Sequence, residues 1–164
     1  MDIHLFWQGP LSVEDVRKLT NPSDYGVYQI YGIHPTYGRD VLLYIGKAAE
    51  QTFAKRIGQH RWVQEGHEVD EMKIYVGRLA GETEPDAAMW NEMVDHAEAL
   101  LINAHLPAYN SKNTRTALKE EKIVEAHVLN WEAYNRLFPE VSYKRFTGKY
   151  DYITEDHIFE EEQD

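Results

Sequence analysis

The sequence predicts an α+β chain: a small, mainly antiparallel three-stranded central sheet flanked by helices, with an N-terminal helix and a C-terminal α/β extension. Three observations carry this expectation. Two aromatic and β-branched runs, 25–32 and 41–45, stand on either side of an eight-residue loop that holds Pro35 and Gly38, the pattern of a long-looped hairpin. A third such run, 72–79, follows one helical segment. Finally, Trp90, Met93, Val94, Ala97, Leu101 and Ala104 recur at the three-and-four spacing of a helix with one buried stripe.

Each element has a local reason. Ser12-Val13-Glu14-Asp15 joins an N-cap to an acidic third helical residue and opens a short helix to about Leu19; Asn21-Pro22-Ser23 ends it. The two strands of the hairpin come next. Residues 49–64 read as a helix with Phe53 and Ile57 on one face, 65–71 as a polar break, 72–79 as the third strand and 81–85 as a loop. The long helix over 86–104 is stopped by Pro107, which cannot continue it. Beyond Lys112 the pattern thins to a strand at 122–131, a helical turn at 132–138 and a returning strand at 141–146. Residues 150–164 carry seven acids and no base and read as a frayed tail. There are no repeats and no low-complexity linker. The whole is one domain, with a core over 24–113, an extension over 114–149 that is expected to be a strand pair, and the acidic tail.

At 164 residues and 19.2 kDa the chain suits a single domain with a core of its own. It has no cysteine, which excludes disulfides, thiol nucleophiles, thiolate zinc sites and iron–sulfur clusters, and fits a cytoplasmic location. The start, Met1-Asp2-Ile3-His4-Leu5, lacks the basic and apolar regions of a signal peptide, and no apolar run approaches the roughly 20 residues a spanning helix needs. The expectation is a soluble chain with no membrane association. The net charge of −11 argues against indiscriminate binding of polyphosphate, yet it is unevenly distributed. Residues 39–61 hold five bases and two acids, and 112–149 hold eight bases and five acids; 65–98 hold ten acids and two bases. Contact with nucleic acid would have to be confined to one basic face.

Candidate site residues emerge from places where charge meets an apolar face. Arg56 and His60 share the helix face that Phe53 and Ile57 would bury. An always-charged guanidinium there costs free energy unless an anion meets it; as an isolated pair, they read equally as a snorkelling arginine and a histidine at a rim. Glu98 falls at the rim of the stripe that includes Trp90. A carboxylate there either faces solvent or looks into a cleft where it holds a divalent cation. No His-Glu-x-x-His, glycine-rich phosphate loop or nucleophile elbow occurs in the chain.

The strands add the missing context. Tyr25-Gly26-Val27-Tyr28 and Tyr44-Ile45-Gly46-Lys47 resemble the paired signature of the GIY-YIG nuclease superfamily. Lys47 after the second triplet, Arg56 with His60 four residues later, Glu98 in a late helix and Asn110 after Leu106-Pro107-Ala108-Tyr109 extend the resemblance over 24–113. Fifteen residues separate Tyr28 from Tyr44, more than is usual in the family, so an extended hairpin loop is expected.

The resemblance implies a DNA endonuclease that hydrolyses phosphodiesters with a single Mg²⁺ or Mn²⁺. Glu98 would ligate the metal and Arg56 would hold the scissile phosphate. Tyr28 would be the general base or water positioner, its hydroxyl pKa lowered by Lys47, Arg56 and the metal. His60 would relay the proton or orient Tyr28, Tyr44 would position the phosphate or the Tyr28 hydroxyl, Lys47 would support the phosphate, and Asn110 would fix the surrounding loop. The alternative is a module of the same fold that binds nucleic acid or protein without cutting. The sequence leaves open DNA against RNA and the oligomeric state.

Overall fold

Ile3, Leu5 and Trp7 alternate with His4, Phe6 and Gln8, and the first three are buried while Phe6 and Gln8 are exposed. This period of two builds a ten-residue strand, β1 (Asp2–Leu11), to which the three-stranded expectation gives no place. A computed structural model of the chain describes residues 1–60, 71–80, 87–114, 123 and 125–143. In chain order β1 is followed by α1 (Val13–Val16), β2 (Gly26–His34), β3 (Gly38–Ala48), α2 (Phe53–Gly58), β4 (Lys73–Ala80), α3 (Ala87–His105), β5 (His127–Glu132) and β6 (Glu140–Ser142).

The strands form one six-stranded sheet in the order β3-β2-β4-β1-β5-β6, and it curls. It is mixed, because β1 pairs antiparallel with β4 on one side and parallel with β5 on the other. The expected three-stranded sheet flanked by helices is therefore wrong. The reason is physical: β4 has two hydrogen-bonding edges, one taken by β2 and the other by β1, and β1 in turn recruits β5. The extension is not an appendage. Its strands β5 and β6 pair antiparallel, but β5 is also built into the main sheet.

Local expectations shift in similar ways. The eight-residue hairpin loop shrinks to Pro35–Tyr37, because β2 runs on to His34, which pairs with Gly38. Longer strands with two register shifts absorb the extra residues between Tyr28 and Tyr44. Helix α1 begins as expected, with a complete capping box between Ser12 and Asp15, but ends at Val16. In the described part of the helix expected over 49–64, six residues, Phe53–Gly58, are helical, capped by the Thr52 side chain on the Lys55 N–H; 61–64 lie outside the described residues. Residues 133–138 form a turn rather than a helix. The remainder of the polar break at 65–70, the loop at 81–85, Lys122 and Val124 of the strand expected over 122–131, 144–146 of the returning strand and the tail at 150–164 lie outside the described residues. Within the described parts the two expected strands are β5, starting only at His127, and β6, ending at Ser142.

Two apolar clusters hold the sheet. Alternate residues of β2 feed both: Val27 and Tyr31 join one with Ile3, Leu5 and Trp7 of β1, Ile45 of β3, Val128 of β5 and Val94, Ala97 and Leu101 of α3. Tyr28 and Ile30 join the other with Val13 and Val16 of α1, Phe53 and Ile57 of α2 and Ile74 and Val76 of β4. The second cluster is the floor of the candidate site.

Candidate active site

Tyr28 on β2 lies directly across from Gly46 on β3, and the glycine makes the arrangement possible. A Cβ at 46 would stand 2.6 Å from the Tyr28 hydroxyl oxygen and 2.6 Å from Cε1 of Tyr44, closer than packed atoms tolerate. Tyr44, two residues earlier, shares that face of the strand. The two rings sit 6.2 Å apart. Two residues before Tyr28, Gly26 adopts φ +147°, and a side chain there would overlap the Gly77 carbonyl oxygen. Gly46 thus serves close packing under the tyrosines, and Gly26 the close approach of β2 to β4.

His60, just past the C-terminus of α2, reaches back over this pair. Its Nε2 lies 2.7 Å from the Tyr28 hydroxyl, and its ring stands edge-on to Tyr28 and Tyr44 at 5.8 and 4.9 Å. One turn earlier, the Nε of Arg56 donates to the Lys47 carbonyl oxygen at 3.3 Å and its Nη1 donates to Gln59 Oε1 at 3.3 Å. These bonds tie the guanidinium to the end of β3. From α3 come two carboxylates that share one ammonium: Lys47 Nζ is 2.6 Å from Asp95 Oδ1 and 3.6 Å from Glu98 Oε2. Glu98 is the more enclosed, with 17% of its side chain exposed against 53% for Asp95.

Asn110 does not join this group; it braces it. β3 is an edge strand, so its outer backbone groups need partners. The Asn110 side chain accepts from the Ile45 N–H at 2.9 Å and donates to the Ile45 carbonyl at 2.8 Å, as a neighbouring strand would. The N–H groups of Ala108 and Tyr109 donate to the carbonyls of Leu42 and Leu43 and continue the imitation. The backbone between Tyr44 and Gly46 is thereby fixed.

Burial sets the electrostatics. It pushes the Tyr28 hydroxyl well above the ordinary tyrosine value, against the opposing charge of Arg56, and Tyr44 and Glu98 add to the rise. The expected lowering of Tyr28 is thus reversed in the protein alone, because desolvation of a phenolate outweighs one nearby guanidinium. Tyr44 is raised for the same reason. His60 goes the other way: burial, then repulsion from Arg56, brings it down to about 4, so it is a neutral imidazole at pH 7. Glu98 is pushed up by burial against the pull of Lys47, with Asp95 adding to the rise. Burial opposes the charge on Lys47, but its bonds to Asp95 and the charge of Glu98 overcome that and hold the ammonium firmly.

The site-forming sequence positions therefore converge from β2, β3, α2 and α3, with Asn110 behind them. Sequence reasoning assigned no site role to Asp95, although it stands three residues before Glu98 on one helix, the spacing that brings side chains together. The expected basic face is partly neutralised: Arg39 pairs with Glu71 and Lys47 with Asp95 and Glu98. Among the described residues no three His, Cys, Asp or Glu side chains gather into a metal cage. Glu98 accordingly fits only a hard cation that keeps most of its own waters, the usual habit of Mg²⁺. No family model, curated protein or solved structure matches the chain.

Proposed function

We propose that the chain is a divalent-metal-dependent endonuclease, hydrolysing phosphodiester bonds in DNA with chemistry of the GIY-YIG type. One observation carries the reading: residues as far apart in sequence as Tyr28 and Glu98 come together as two phenols, a neutral imidazole, a guanidinium and an enclosed carboxylate. A phosphodiester needs these chemistries: cationic donors for its oxygens and a route for a water proton.

The phenol and imidazole act as a pair. In the tautomer that leaves Nε2 bare, His60 accepts from the Tyr28 hydroxyl, and the phenol oxygen keeps a lone pair for a water. The water's proton passes to that oxygen as the phenol's own proton passes to His60. Arg56 opposes protonation of His60 until a phosphate arrives; the anion then offsets the guanidinium, and the imidazole becomes a better base in step with substrate binding. Tyr44 steadies the imidazole edge-on. A cation held by Glu98 would neutralise charge on the leaving oxygen, and Lys47 would turn from Glu98 to the phosphate as it binds.

Nicking of supercoiled plasmid in Mg²⁺ or Mn²⁺ tests the proposal. Glu98→Gln and Arg56→Ala, each verified as folded by circular dichroism, are expected to lower the nicking rate at least about 100-fold. Nicking by both variants at the wild-type rate would overturn it. Tight DNA binding with no cleavage under either metal would instead select the non-cutting module.

A further inference from the structure

We propose that the cleft between α3 and the segment leading into α2 binds one unpaired nucleobase that carries an exocyclic amine. The proposal rests on the nuclease reading for its biological sense, and it adds to that reading the feature of the substrate that is recognised beside the scissile bond. The cleft has a volume of about 300 Å³ and is walled by Tyr25, Glu50, Gln51, Trp90 and Asn91. That is the bottom of the range for small-molecule sites, room for a single heterocycle rather than a folded chain.

Its walls have the chemistry of a base site. Tyr25 and Trp90 pack on each other at 4.7 Å between ring centroids, tilted by 44°, and both line the cleft, so a flat ring entering it meets an aromatic wall. Stacking on an aromatic face is the sequence-tolerant part of single-strand binding, worth about 1–3 kcal/mol per base. The Trp90 Nε1–H is buried with no acceptor among the described residues. Such a donor is expensive to leave unmade, and because it is closed to solvent here, a ring nitrogen or carbonyl of a base would meet it once the indole turns toward the cleft. Opposite stands Glu50, an exposed acid with φ +59°. Strain of this kind in a non-glycine residue persists only where its surroundings impose it, and such residues gather at binding sites. Among the described residues the Glu50 Oε1 accepts one long bond, from Asn91 Nδ2 at 3.4 Å.

A carboxylate accepts from the amino groups of cytosine and the other amine-bearing bases; thymine and uracil offer no such amine. A base enclosed in the cleft against Tyr25 and Trp90 has left the duplex stack, so it must be unpaired. Position fits as well. Glu50 and Gln51 lie between Lys47 and Arg56 in sequence, and Trp90 precedes Glu98 on α3 by about 12 Å along the axis, a nucleotide or two from the phosphate that Arg56 would hold.

Nitrogen-15 spectra of the full chain follow the Trp90 indole N–H directly, assigned by its disappearance in Trp90→Phe, while deoxyadenosine, deoxycytidine or thymidine is added. Nucleosides carry no phosphate, so the readout does not depend on the basic residues or on catalysis. The Trp90 signal is expected to shift on addition of deoxyadenosine and deoxycytidine, with at least fivefold weaker binding of thymidine, and the discrimination is expected to shrink in Glu50→Gln. A signal that none of the three moves overturns the proposal, as does equal response to thymidine and deoxyadenosine. The same shift in Glu98→Gln supports the pocket in an inactive protein. A shift in a wild type that does not nick plasmid removes the nuclease reading and leaves the base site standing; nicking without a shift does the reverse.

Discussion

At the β1–β5 end of the sheet, the Trp7 Nε1 donates to Asn130 Oδ1 at 2.8 Å, while the Asn130 Nδ2 donates to the Phe138 carbonyl at 2.8 Å and its N–H to that of Pro139. At the β2–β3 end, the buried Tyr28 hydroxyl is bonded to an imidazole held near pKa 4, and an enclosed Glu98 shares the Lys47 ammonium with Asp95. Both regions bury polar groups. The first matches neutral donors to neutral acceptors and gains stability from the match. The second crowds titratable groups whose protonation states oppose their surroundings, an arrangement that costs stability and is typical of functional sites. What differs is the kind of group that the fold encloses.

The largest expected effects fall at the matched end. Trp7→Ala should destabilise the chain by about 3–5 kcal/mol in urea unfolding. Asn130→Leu, which removes the acceptor of the buried Trp7 N–H, should cost about 1–3 kcal/mol. If either variant were neutral, the contrast between the two ends would be lost.

Gly46→Ala comes next, because its methyl must displace Tyr28 or Tyr44. Overpacking of this kind costs about 1–3 kcal/mol, and plasmid nicking should fall with it. Tyr28→Phe separates the two consequences: it should leave stability within about 1 kcal/mol while lowering nicking about 100-fold or more. A Tyr28→Phe variant that nicks normally would remove the phenol from the chemistry.

The pH dependence of stability is a subtler measure of the crowded end. Glu98 is raised above 4.5, so the folded chain keeps a proton that the unfolded chain releases, and stability falls as pH rises from 4.5 toward the folded value. His60 drops from 6.5 to about 4, so the unfolded chain takes up a proton that the folded chain refuses. Its contribution is complete above 6.5 and is lost as pH falls toward 4. The two slopes oppose each other and overlap. Urea midpoints measured across this interval should lose more stability on acidification in Glu98→Gln than in wild type, and less in His60→Gln. Parallel profiles for all three proteins would show that neither group is perturbed by folding.

The smallest effect is expected at the exposed ion pair of Lys73 with Asp40, 3.1 Å apart. Lys73→Gln should change stability by under about 1 kcal/mol, and by less in high salt. A larger loss would mean that the charged surface contributes on the scale of the buried network.

Local chemistry was readable in the chain. The Ser12 capping box, the long helix ended near Pro107 and the strands around Tyr28, Tyr44 and 73–80 follow from propensity and periodicity, which depend on near neighbours. The hairpin loop was overestimated because Pro35 and Gly38 mark a turn without giving its length; strand pairing then claimed Ile33, His34 and 38–40. The alternation of Ile3, Leu5 and Trp7 was also present in the sequence, but a single alternating run does not say which strand it will join. Of the site, the residue types at 28, 44, 56, 60 and 98 could be picked out, whereas Asp95 as a partner of Lys47 and Asn110 as a substitute strand could not.

The sequence by itself determined the capping box at Ser12, the long helix and the strands around Tyr28, Tyr44 and 73–80, together with the residue types available for chemistry, because these are set by side chains a few positions apart. Only the tertiary structure decided that three strands become six, since an edge is filled by whichever distant segment can pair with it, here β1 carrying β5. It also decided that the Tyr28 hydroxyl is raised rather than lowered and that His60 is neutral. Those values follow from desolvation, and desolvation depends on what the rest of the fold stacks over a residue, which no spacing in the chain records.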